Sequence, residues 1–170
     1  MATREDLIGY RPVIISGGQT GVDRIALETA RAAGLKTGGV APFGYRTEKG
    51  PDPTLKEFGL TEHALPTYHP RTKQNILDSD STVLITSDPA MTELTLSRTT
   101  GGSALTLKYC QRCGKQCYIN PSHESLVAFL RCPTNRVVNF AGTRGSYIDE
   151  ARQEKIRTFL EGVFSEVTQG

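Results

Sequence analysis

Short apolar runs alternate along this chain with longer stretches in which apolar residues recur every three or four positions. Pro12-Val13-Ile14-Ile15 is such a run, ending at Ser16, and it has the length of a buried strand. From Thr20 to Gly34 the positions Val22, Ile25, Ala26, Thr29, Ala30 and Ala33 fall on one helical face, and Gly34 supplies a stop. Leu35 to Val40 predicts a second strand, so a strand–helix–strand unit opens the fold. A long Gly/Pro loop, Ala41 to Pro53, comes next, and loops of more than about 12 residues in compact proteins are often functional.

The alternation then continues. Leu60 to Ala64 fits a short edge strand, and Pro70 stands near the start of a helix that ends near Asp78. Thr82 to Ile85 is a buried strand, Ser87 to Arg98 a polar excursion with the makings of a lid, and Ser103 to Cys113 a helix closed by Gly114. Cys117 to Ile119 predicts a strand, Ser122 to Arg131 a helix, Arg136 to Phe140 the last strand, and Ile148 to Val163 the last helix. Strands alternating with helices call for a mostly parallel sheet covered on both faces, a single-domain, three-layer α/β fold of the Rossmann-like kind. The domain is placed at residues 11–166, with 1–10 as a short polar N-terminal segment.

Charge narrows the partners. The chain has 170 residues with 20 Lys+Arg against 18 Asp+Glu, a net charge of +2. No basic stripe of the kind duplex binding demands is present, so nucleic acid is not expected as a partner. The first ten residues lack the apolar core of a signal peptide, and no run approaches the roughly 20 apolar residues of a membrane span. The expectation is a cytoplasmic protein without membrane contact. Cys110, Cys113, Cys117 and Cys132 read as thiols in a reducing compartment. Their C-x₂-C-x₃-C spacing falls on a helix end and a strand start rather than on two zinc knuckles, so no metal site is assigned.

Chemistry concentrates in two glycine-rich turns. Ser16-Gly17-Gly18-Gln19-Thr20-Gly21-Val22-Asp23 leaves a buried strand and enters a helix. Unpaired backbone N–H groups and the positive end of the helix dipole meet there, which is the physics of anion binding. The candidate ligand contacts are Gly17, Gly18, Gln19, Thr20, Gly21 and Asp23; an acid at Asp23 also suits a helix start. Thr100-Gly101-Gly102-Ser103 opens a second helix, and in a parallel sheet both turns reach the carboxyl edge where ligands bind. Two helix amino ends on one crevice suit a small ligand with two separated anionic groups. Arg71 and Asn75 lie four apart on one helix face and could clamp an oxyanion between them. His63, His69 and His123 are scattered, and no nucleophile–base pair can be named, so no catalytic residue is assigned.

Taken together, Ile14 to Arg24, Gly38-Gly39 with Pro42 and Gly44, Arg71-Thr72 with Asn75, Asp78-Ser79-Asp80, and Thr100-Gly101-Gly102 resemble the circularly permuted YpsA-like proteins of the SLOG superfamily. Val137 to Phe140 followed by Ala141-Gly142 and Arg144 resembles theirs as well, so the likeness runs from about Val13 to Phe164. Those proteins are described as carriers of the molybdenum cofactor. The resemblance implies a Rossmann-like fold, a bound molybdopterin or molybdenum oxyanion, and a homo-oligomer, a dimer or larger. It also implies kinship with the lysine-decarboxylase-like phosphoribohydrolases, in which Gly-Gly-x-Gly-Thr precedes a catalytic Glu and an Arg like Arg71 lies upstream. Here Gly101-Gly102-Ser103-Ala104-Leu105 lacks the second glycine and the threonine, and Lys108 stands where the acid would be. A cation cannot serve as general base, so that activity does not carry over. The alternatives are a nucleotide sensor, or a nucleotide or nucleotide-sugar hydrolase that uses Asp23 or Glu28. Asp88 to Arg98 and the cysteine cluster are departures from the family pattern.

Overall fold

The computed structural model describes residues 9–169. The polar segment expected at 1–10 therefore lies outside the described residues, except for its last two positions. Among the described residues, six parallel strands form one sheet: β1 (Val13–Ile15), β2 (Thr37–Ala41), β5 (Leu60–Glu62), β6 (Ser81–Ile85), β7 (Gln116–Ile119) and β8 (Val137–Gly142). Their order across the sheet is β5-β2-β1-β8-β6-β7. β8 pairs with both central neighbours, Ile14 opposite Val138 on one side and Val83 opposite Phe140 on the other. β3 (Arg46–Thr47) and β4 (Gly50–Pro51) make a separate antiparallel hairpin.

The helices are α1 (Val22–Ala32), α2 (Tyr68–Leu77), α3 (Glu93–Ser97), α4 (Gly102–Arg112), α5 (His123–Arg131) and α6 (Glu150–Thr168). α1, α5 and α6 cover one face of the sheet, where Ile25, Leu126, Leu160 and Phe164 pack on Ile14, Val138 and Phe140. The Phe140 and Phe164 rings meet edge to face with centroids 5.5 Å apart. α2, α3 and α4 cover the other face, with Leu96 and Leu107 against Leu84. A third cluster, Leu27, Ala41, Leu55, Phe58 and Leu60, lies under the 3₁₀ turn Pro53–Phe58. The result is the three-layer Rossmann-like α/β fold that the alternation of patterns predicts.

Element boundaries shift for local reasons. The first helix begins at Val22, because Gly21 ahead of it has φ +84°, a conformation L side chains rarely adopt. The second strand starts at Thr37, two residues later than the apolar run, because Leu35 turns into the core after Gly34 (φ +87°). The last helix runs Glu150–Thr168 and not from Ile148. Asp149 caps it, its carboxylate accepting from Arg152 N–H at 2.7 Å, while Ile148 is buried just before it. The long loop after β2 contains the β3–β4 hairpin between two 3₁₀ turns. The excursion after β6 contains α3, with a Thr92/Thr95 capping box and Leu96 buried beneath it. No helix among the described residues is long and apolar enough to cross a membrane.

From β1 the chain winds outward to β2 and β5; from β6 it winds the opposite way to β7. β8 fills the centre. The carboxyl ends of β1, β8 and β6 therefore flank a topological switch point, the place where open α/β sheets form a crevice.

Candidate functional site

A cavity of about 820 Å³ opens at that switch point. Its floor is the carboxyl ends of β1, β8 and β6, through Gly17, Asn139 and Thr86. α2 forms one wall, and the segment Met91 to Thr106 the other.

The first glycine turn contributes less to this cavity than its composition implies, because its own structure uses its donors. Gly18 N–H donates to Ser16 Oγ at 3.2 Å, Gln19 N–H to Asp23 Oδ2 at 3.2 Å, and Thr20 N–H to Gln19 Oε1 at 3.0 Å. Val22 N–H donates to Thr143 O at 3.2 Å. Asp23 thus supplies, within the turn, a carboxylate of the kind an external anion would have supplied. Gly17, Gln19 and Asp23 line the cavity; Gly18, Thr20 and Gly21 do not. A Cβ at Gly18 would stand 2.7 Å from Leu55 Cδ1, and one at Gly21 2.4 Å from Thr143 O. Those two glycines permit close packing against other segments. Thr20 Oγ1 accepts from Gly145 N–H at 3.0 Å and donates to Glu48.

Asp23 and Arg71 meet at the base of the cavity, Arg71 Nη1 lying 3.4 Å from Asp23 Oδ2. Their side chains are 5% and 11% exposed, so the pair is nearly out of water. Burial, the largest influence, pushes the Asp23 carboxyl above its usual range and the Arg71 guanidinium below its own, while each charge opposes the shift of the other. Arg71 Nε is buried with no hydrogen-bond partner. The guanidinium lies flat on Gly17, where a Cβ would fall 1.7 Å from Nη1, so this glycine makes room for an arginine.

Asn75 lines the cavity too, but both ends of its amide are engaged. Val40 N–H donates to Oδ1 at 2.8 Å, and Nδ2 donates to Val40 O at 2.9 Å. β1 ends at Ile15, and Asn75 continues the hydrogen-bonding edge that β2 would otherwise leave open. The structure thus brings Arg71 and Asn75 to one wall, with Arg71 facing Asp23 and Asn75 facing the backbone.

The second turn has the opposite character. Gly101 (φ +108°) precedes α4 without any side-chain cap, and Thr100, Gly101, Gly102 and Ser103 all line the cavity. A Cβ at Gly101 or Gly102 would meet nothing within 4 Å. An 11-residue helix therefore directs uncapped N–H groups and its positive end at open space. Thr99, beside them, uses its hydroxyl on Leu96 O at 2.8 Å.

Residues absent from the sequence-derived set complete the walls: Tyr68, Thr86, Ser87, Asn139, Arg144 and Tyr147. Thr86 and Ser87 follow a strand on the carboxyl edge, a signal that the sequence offers. Arg144 is among the residues that carry the resemblance, but its place at the cavity, like that of Tyr147, follows only from seating β8 in the centre of the sheet. In the stretch Asp88 to Arg98, Leu96 is buried, Met91 half-buried and the other residues exposed. Asn120 Nδ2 donates to Met91 O at 3.0 Å and to Thr86 Oγ1 at 2.7 Å, tying the near end of the stretch down.

Other candidates fall outside. Glu28 pairs with Arg24 at 3.0 Å and Arg157 at 3.5 Å, away from the cavity. Lys108 is exposed on α4 and does not line it. Cys110 is buried and Cys113, Cys117 and Cys132 half-buried, all as free thiols. Among the described residues no three His, Cys, Asp or Glu side chains converge as a metal-binding group.

No curated protein matches the chain. A crystal structure from Syntrophus aciditrophicus SB, of a protein named putative molybdenum carrier protein, is similar in fold, with a TM-score of 0.70 and 29% sequence identity. The match covers 96% of this chain and 99% of that one. A sequence profile of the circularly permutated YpsA SLOG family matches residues 14–164, a span that includes both glycine turns, Arg71 and Arg144. With the last strand seated at the centre of the sheet and the cavity at its carboxyl edge, the chain belongs to the circularly permutated YpsA SLOG family.

Proposed function

We propose that the protein binds and carries a small anionic, phosphorylated molecule, the molybdenum cofactor or its oxyanion first among them. The observation that carries this reading is the uncapped amino end of α4 facing a cavity that also holds Arg71 and Arg144. A phosphate or oxyanion there would accept from the N–H groups of Gly102 and Ser103 and from the hydroxyls of Thr100 and Ser103. The similar structure's name supports molybdenum as the cargo. The donor set fits a metal that arrives already complexed as an anion, because the cavity offers N–H, hydroxyl and guanidinium donors and no cluster of metal-ligating side chains.

Purified protein should retain molybdenum by elemental analysis, or slow the air oxidation of added cofactor measured by pterin fluorescence. A protein that does neither contradicts the molybdenum reading.

A second reading rests on Asp23. A buried carboxyl pushed above its usual range in a cleft is a candidate proton carrier, and the resemblance above implies kinship with phosphoribohydrolases. Release of free base from nucleoside monophosphates by the wild type and not by Asp23→Asn favours it. No release, or equal release by both, removes it. Glu28, held by two arginines outside the cavity, is not part of this reading.

A further inference from the structure

Three guanidinium groups surround one tyrosine at the side of the cavity. Arg71, Arg144 and Arg46 lie 5.7, 5.8 and 6.0 Å from the centre of the Tyr68 ring. Arg144 is also 5.6 Å from the centre of the Tyr147 ring, so it is flanked by two aromatic side chains. Arg71 has a carboxylate partner in Asp23; Arg46 and Arg144 make no ion pair among the described residues.

The acids near this cluster are engaged elsewhere. Glu48, whose carboxyl feels the Arg144 charge, accepts from Ser146 N–H at 2.9 Å, from Ser146 Oγ at 2.6 Å and from Thr20. Arg46 is exposed and outside the cavity lining; Arg71 is matched by Asp23, so Arg144 is the guanidinium without an ion pair that lines the cavity together with the uncapped amino end of α4. The turn carrying Arg144 is also fixed in place. Glu48 holds Ser146, Gly145 N–H donates to Thr20 Oγ1, and Gln153 Nε2 donates to Ile148 O at 3.0 Å. A guanidinium set between two rings on a fixed turn is preorganised to present its N–H edge to a phosphoryl group.

We propose that the cavity takes a ligand with two oxyanion groups, at least one of them a phosphoryl, one on the amino end of α4 and the other on Arg144. This rests on the reading of the cavity as an anion site and adds to it the number of anionic groups and the residue that selects for the second. Arg144 takes the place that the first glycine turn cannot fill, since that turn's N–H groups are bonded internally.

The test is calorimetric titration of the full chain with inorganic phosphate, pyrophosphate, tripolyphosphate and adenosine 3′,5′-bisphosphate. The wild type should bind at least one of the last three about tenfold or more tighter than phosphate, as one charge-assisted contact allows. Arg144→Gln should abolish that gain, costing the multiply phosphorylated probe several times more affinity than it costs phosphate, while Arg144→Lys restores part of the gain. Loss of phosphate and multiply phosphorylated probes in equal proportion would make Arg144 a general field effect and overturn the proposal. So would a gain that survives Arg144→Gln, or phosphate binding with no gain for any of the three. Failure of the wild type to bind any probe would overturn the anion-site reading itself.

Discussion

At the scale of single residues, Gly17 and Arg71 carry the clearest consequence. Gly17→Ala places a methyl group where the guanidinium lies, so Arg71 must leave and Asp23 is left buried without its cation. Breaking a buried pair this way costs about 3–5 kcal/mol, and denaturant titration should show a loss in that range. The spacing of Arg71 and Asn75 correctly puts both on one helix face. It does not show that Asn75 binds the Val40 backbone, because that depends on where β2 lies beside α2. Glu48 was legible only as a loop charge. Burial raises its carboxyl, but hydrogen bonds from Ser146 and Thr20 and the Arg144 charge together hold it below its usual range. A folded value below the unfolded one stabilises the fold above the unfolded carboxylate range, and that contribution is lost as pH falls through the folded value. Glu48→Gln should therefore flatten the acid limb of a plot of Tm against pH, and cost about 1 kcal/mol at neutral pH through weaker hydrogen bonds.

At the scale of elements, the two glycine turns look alike in sequence and differ in what their donors do. Both follow the logic of a helix start, and composition alone gives them equal claims on an anion. The difference comes from side chains within the first turn, Ser16, Gln19 and Asp23, and from distant partners. Thr143, Gly145 and Glu48 also bind the first turn, whereas no side chain caps the second among the described residues. The bonds to Thr143 and Gly145 join segments more than a hundred residues apart and leave no local pattern. The two glycines of the second turn should also separate by substitution. Gly101 has φ +108°, so Gly101→Ala forces a strained backbone that costs roughly 1–3 kcal/mol and should weaken phosphate binding. Gly102 begins the helix proper with open space around it, so Gly102→Ala should leave thermal stability nearly unchanged. The excursion after β6 reads from sequence as a polar stretch. Its polarity hid one buried leucine, Leu96, and the Asn120 side chain that ties it down.

At the scale of the whole molecule, alternating patterns specified the class of fold because each strand is short and apolar and each helix has one apolar face. Strand order was not legible in that way. Placing β8 between β1 and β6 requires contacts of high sequence separation, and it is this insertion that brings Asn139, Arg144 and Tyr147 to the cavity. The same insertion seats Phe140 against Phe164 of the last helix. Phe164→Ala should cost about 3–5 kcal/mol in chemical denaturation, because a fully buried ring is lost from the packing of β8 on α6.

The central claim is that the anion sits on the amino end of α4, with the first glycine turn as its support. Backbone amide NMR during titration with inorganic phosphate and with molybdate tests it most directly. The largest shift changes should fall on Gly101, Gly102 and Ser103, with little change at Gly18, Thr20 and Gly21. Changes confined to Gly18 through Gly21, or none anywhere in the cavity, would contradict it.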